Sequence, residues 1–181
     1  MERNLTLIAL FAALIAALGL VPQFTLAFGV PITAQTMGVM LCGTILGAWR
    51  GGLAALLFVA LVALGLPILA GGRGGLGVFA SPTVGFLVGF PIAAFVTGWL
   101  MQAMSRMAVL PAAVIASVLG GMVVLYIPGT LGMSATLGKT IPEALALNLP
   151  FMPGDLIKAV LAGFVTSAVA RARPDSLLSR A

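Results

Sequence analysis

Six apolar runs, cut apart by proline, glycine and isolated charges, make up most of this chain, and five of the six contain no Asp, Glu, Lys or Arg. They fall at residues 5–21, 35–48, 52–66, 83–105, 110–127 and 153–170. Runs of this kind have no polar face to turn toward water. With 61% hydrophobic and 7% charged residues, the chain lies far from the soluble norm of about a quarter charged. Lipid is therefore its main solvent. A membrane span takes about 20 apolar residues, so 181 residues make a single integral membrane domain, residues 1–181, with no separate soluble catalytic domain. The expected fold is an all-α membrane protein of six transmembrane helices in one bundle.

Proline supplies most of the punctuation. Pro22, Pro67 and Pro128 are read as closing the first, third and fifth helices, and Pro153 suits the first turn of the sixth. Pro91 falls inside the fourth run and removes a backbone donor, which predicts a kink. The second and third spans are short and join tightly at Ala48-Trp49-Arg50-Gly51. The stretch 129–152 is the longest connection, between helices five and six. Within it Thr140-Ile141-Pro142-Glu143 fits a capping box and predicts a short helix reaching about Leu147. The first apolar run reads as a retained span rather than a removed leader, because equally apolar sequence follows it.

An even number of spans places both termini and the two-three and four-five connections on one side. That side holds Arg3, Arg50, Arg106, Arg171, Arg173 and Arg180, against Arg73, Lys139 and Lys158 on the other. The positive-inside bias puts both termini in the cytoplasm and the glycine-rich loop 70–77 outside. The net charge of +5 is scattered, without a basic run, so it does not indicate nucleic acid. One cysteine, Cys42, and no histidine exclude disulfide, zinc and iron–sulfur frameworks. An intramembrane enzyme would need a carboxylate cluster, histidines or a nucleophile with its base, and none is present.

Two motifs mislead. Gly72-Arg73-Gly74-Gly75-Leu76-Gly77 has G-x-G-x-x-G spacing but lacks the preceding strand and the later acid of a dinucleotide site. Its glycines are better read as letting the backbone pass close to a neighbour, with Arg73 at the centre of a ligand loop or of a mere connector. Gly138-Lys139-Thr140 resembles the end of a phosphate-binding loop, but Met133 stands where the motif needs glycine. This chain does not hydrolyse ATP by itself.

What remains is Asp155 with Lys158, one turn apart at the start of the sixth helix. Charges at such depth cost roughly 2.5–3.5 kcal/mol each and are kept for a partner or a ligand. Either an internal salt bridge or a ligand contact accounts for the pair. In the first helix, Ala9, Ala13 and Ala17 repeat at spacing four, as do Gly43/Gly47 and Gly85/Gly89. Such small residues allow close helix contact in lipid. For the glycine pairs internal packing is expected, whereas the alanine ridge is broad enough to receive a partner protein.

Four segments carry a family resemblance. They are Pro31-Ile32-Thr33-Ala34-Gln35-Thr36, then Gly65-Leu66-Pro67 with Ala70-Gly71-Gly72-Arg73-Gly74-Gly75, then Ser81-Pro82-Thr83-Val84-Gly85-Phe86-Leu87-Val88-Gly89-Phe90, and Pro153-Gly154-Asp155-Leu156-Ile157-Lys158. In this order, over about residues 5–170, they resemble the BioY family, the biotin-binding S-components of energy-coupling factor transporters. The resemblance implies a multi-pass protein of the cell (inner) membrane that captures biotin outside. It also implies partners: a transmembrane coupling protein and ATPase subunits, with Ala9 and Ala13 as interface candidates. Biotin would be the transported ligand, and neither a cofactor nor a catalytic or metal site is implied. Arg73 and Lys158 supply charge for the biotin carboxylate, and which cation meets which end stays open. Asp155 would accept from ureido N–H groups or hold Lys158. Gln35, Thr36 and Thr83 would complete the polar contacts beside the backbone of Gly74 and Gly75, and Phe86, Phe90 and Phe151 would form apolar walls. The alternative is a facilitator or secondary transporter working alone.

Overall fold

The structure of the protein, a computed structural model, describes residues 2–27 and 29–180, so Met1, Phe28 and Ala181 lie outside the described residues. It is an all-helical bundle. Helix α1 is Glu2–Leu18, α2 Gln35–Leu46, α3 Ala48–Ala63 and α4 Val84–Ala103. Helices α5 (Val109–Val118) and α6 (Leu125–Leu137) are joined through a π-helical segment, Leu119–Val124. A short α7 (Ile141–Ala146) precedes α8 (Met152–Ala172). A small antiparallel hairpin, β1 (Phe24–Thr25) and β2 (Pro31–Ile32), pairs Phe24 with Ile32 and Thr25 with Pro31. Three stretches are long and apolar enough to cross a membrane: Val84–Ala103, Val109–Leu137 and Ile141–Ala172. Helices α2 and α3 are shorter apolar helices.

The largest departure from the sequence reading is at Pro128. It does not end the fifth helix; α6 runs through it to Leu137 and closes on Gly138 in the left-handed conformation, φ 63°. A membrane helix tolerates proline where local π-type adjustment re-satisfies the freed carbonyls, and the π segment directly precedes this one. The expected connection 129–152 is correspondingly shorter. The third helix starts at Ala48, not residue 52, because Gly47 alone makes the break. Its φ of 82° is a backbone conformation that side chains disfavour. Helix α1 stops at Leu18 rather than residue 21. The capping box at Thr140 and Glu143 forms as expected, both halves present, and Pro153 sits in the first turn of α8.

Packing is close wherever glycines face a neighbour. A Cβ at Gly85 would fall 1.8 Å from the Pro128 carbonyl oxygen, and one at Gly43 would fall 2.6 Å from that of Ala94. Internal packing is what both need. The two ends of the bundle differ. At one end Arg3 reaches the Asp175 carbonyl, and Arg180 reaches the Ser105 and Met107 carbonyls. Both chain ends and the α2–α3 and α4–α5 turns thus gather there. At the other end Val30 packs with Met133, Ala144 and Phe151, bringing the hairpin over α6, α7 and the start of α8.

Candidate functional site

Helix α8 begins at that second end, and its first turn presents Asp155, only 4% exposed. Lys158 lies one turn along, its Nζ 2.8 Å from Asp155 Oδ1. The first turn of α2 brings Thr36, whose hydroxyl accepts from Lys158 Nζ at 3.2 Å and donates to Asp155 Oδ1 at 3.2 Å. From α6, the Tyr126 hydroxyl donates to Asp155 Oδ2 at 2.8 Å. One carboxylate thus gathers donors from three helices. A buried charge persists only when paired and hydrogen-bonded in this way. The ammonium of Lys158 keeps a third N–H for which the described residues offer no acceptor.

This cluster lies on one side of a cavity between the helices. Phe86, Phe90 and Phe151 form an apolar wall with Leu87 and Leu125. The Phe86 ring lies 5.9 Å from that of Phe151 and meets Tyr126 edge-on at 6.5 Å. Val30, Pro31 and Leu69 also line the cavity, as does Arg73 from the glycine-rich loop. Arg73 Nε donates to the Ala70 carbonyl at 3.3 Å, and its terminal nitrogens have no partner among the described residues. Burial draws its pKa below the ordinary arginine value, but a guanidinium stays protonated at neutral pH. Ser81 donates to the Val78 carbonyl at 2.6 Å, so Thr83, 2.7 Å from Ser81, must donate its own proton to Ser81. The Thr83 oxygen is left as an acceptor.

Of the residues expected to form the site, Arg73, Thr36, Thr83, Phe86, Phe90, Phe151, Asp155 and Lys158 share this cavity. Gln35 also borders it, but its amide is engaged elsewhere. Nε2 donates to the Ile15 and Ile68 carbonyls at 3.1 Å each, and Oε1 accepts from Ala70 N at 3.0 Å. Gln35 ties α1, α2 and the glycine-rich loop together and has no donor left for a ligand. Gly74 and Gly75 are not among the cavity-lining residues. A Cβ on Gly74 would fall 2.2 Å from the Leu66 carbonyl oxygen, and Gly75 has φ 79°. Gly74 accommodates the Leu66–Pro67 backbone, whereas Gly75 has open space beside it and supplies a positive φ.

Two polar contributors were not singled out from sequence. Thr33 lines the cavity, its hydroxyl accepting from Gln35 N at 3.3 Å, and Tyr126 completes the Asp155 shell. Tyr126 is the one tyrosine of the chain, and a phenol inside an apolar helix needs a partner. That was the available signal. On α1, Ala9, Ala13 and Ala17 are exposed while Ala12 is buried, so the alanine ridge faces away from the bundle.

A lipid-compatible helical bundle bordering a mostly apolar cavity, with a buried ion pair on one side and a second cation lining it, is the layout of a membrane protein that holds a small amphipathic solute. Comparison with known proteins narrows this. The family model of the BioY family matches residues 2–175. The chain is 53% identical to the biotin transporter BioY of Rhodobacter capsulatus, over 99% of this chain and 100% of that protein. It is 49% identical to the biotin transporter BioY of Rhizobium etli, over 92% of each. Among solved structures it matches the S-component for biotin from an ECF-type ABC transporter, with TM-score 0.89, 29% identity, and coverage of 97% of this chain and 96% of that one. The chain belongs to the BioY family.

Proposed function

We propose that this protein is the biotin-capture S-component of an energy-coupling factor transporter, a transport role rather than a catalytic one. It takes biotin at the outer face of the cell membrane and delivers it with a transmembrane coupling protein and ATPase subunits. The observation that carries the reading is the cavity itself. Aromatic walls suit a thioether ring and an apolar chain. Lys158 and Arg73 suit a carboxylate, Arg73 by a two-point contact, and the acceptors of Asp155 and Thr83 suit ureido N–H groups. The strong likeness to biotin transporters from two organisms supports the same ligand.

In this reading the 181 residues form one multi-pass domain of the inner membrane. The end bearing Arg3, Arg50, Arg106, Arg171, Arg173 and Arg180 faces the cytoplasm, and the cavity end faces outward. The exposed Ala9–Ala13 ridge on α1 receives the coupling protein, since small side chains permit close helix contact in lipid.

The test is equilibrium binding of labelled biotin to the purified protein without ATP. Wild type binds saturably. Asp155→Asn and Lys158→Ala, each leaving a buried partner uncompensated, lose about a hundredfold or more in affinity. Wild-type affinity in both variants overturns the site.

A further inference from the structure

Helices α2 and α8 run in register. Thr36 meets Lys158 at 3.2 Å in the cavity, and Thr44 meets Thr166 at 2.8 Å deeper in the bundle, with the same offset of 122 residues in both contacts. The two rungs are eight residues apart along each helix, or about 12 Å at 1.5 Å per residue. Sliding α2 along α8 therefore breaks both rungs at once. The inner end of α2 is a single glycine elbow, and something outside the helix must satisfy its last carbonyls.

Residues 177–180 do this. Leu177 and Leu178 are each 4% exposed, packed into the main core. Ser179 N donates to the Ile45 carbonyl at 3.0 Å and its hydroxyl to the Thr44 carbonyl, so one residue closes the last turn of α2. Arg180 Nη1 bridges the Ser105 carbonyl at 2.6 Å and the Met107 carbonyl at 3.1 Å, beyond the end of α4. The segment thus clamps the α2 elbow against the α4–α5 turn.

We propose that Ser179 and Arg180 are positioning residues for the ligand site. They latch the inner end of α2 so that Thr36, at its outer end, stays aligned with Asp155 and Lys158. Release of the latch lets α2 slip and loosens the bound solute. The inference rests on the biotin-capture reading, and its test separates the two.

Two readouts are taken on detergent-solubilised Ser179→Ala, Arg180→Ala and Arg180→Lys: the dissociation rate of labelled biotin, and the rate at which N-ethylmaleimide labels Cys42. That thiol is the chain's one cysteine, lies on α2 and is fully buried. In Arg180→Ala both rates rise about tenfold, the loss of a charged hydrogen bond, and Arg180→Lys, which keeps the charge without the fork, falls between. Should Arg180→Ala fail to fold, Ser179→Ala shows both effects more weakly. A folded variant with a lower melting temperature but wild-type biotin dissociation and Cys42 labelling overturns the latch. Failure of wild type to bind biotin sinks the functional reading instead, and the labelling rates still test the latch.

Discussion

Replacing Tyr126 by phenylalanine removes one oxygen and leaves the cavity wall in place. The lost bond is to a charged acceptor, worth about 1.5–3 kcal/mol, so biotin affinity in Tyr126→Phe falls at least about tenfold, measured by isothermal titration. The ring remains against Phe86, and the expression level is unchanged. Single side chains were unevenly legible from sequence. Asp155 and Lys158 stood out because charge is rare in this chain, and their pairing is as close as their spacing suggested. Gln35 was legible as polar but not as a tie, since its partners are backbone carbonyls 20 and 33 residues away. Tyr126 passed as one more aromatic in the run Leu125-Tyr126-Ile127 because nothing local identifies its acceptor, 29 residues on.

Helices carry the cavity, and α4 and α6 supply Phe86, Leu87, Phe90, Leu125 and Tyr126 to its wall. They pack tightly where Gly85 faces the Pro128 carbonyl. Gly85→Ala must push the two helices apart, an overpacking cost of about 1–3 kcal/mol or more. Thermal unfolding should drop by on the order of 5 °C, with biotin binding weakened in parallel because Phe86 and Tyr126 separate. Unchanged melting and binding would mean the helices are not apposed here. At this scale the sequence was read well where proline coincided with a true break, as at Pro153, but it left Gly47, the actual break, inside the second helix. It was misread at Pro128, because a proline taken alone does not reveal that a π segment has already rearranged the hydrogen bonds around it. The axial register of α2 on α8 was not legible either, since no local pattern encodes which threonines face each other.

Assembly is the remaining scale. Ala9 and Ala13 are exposed on α1, so Ala9→Trp/Ala13→Trp leaves purified protein able to bind biotin at wild-type affinity. In cells co-expressing the coupling protein and ATPases, its uptake falls to background. Uptake by wild type in the absence of those ATPases would instead favour a transporter working alone. The Gln35 amide adds a consequence for the molecule as a whole. Three hydrogen bonds fasten the cavity margin, α1 and the glycine-rich loop into one piece, and breaking them would strand a buried amide without water. On the proposed biotin-capture reading, a vitamin that enters without cutting these ties passes the margin farther from Gln35, and α1 keeps its seat beside the glycine-rich loop.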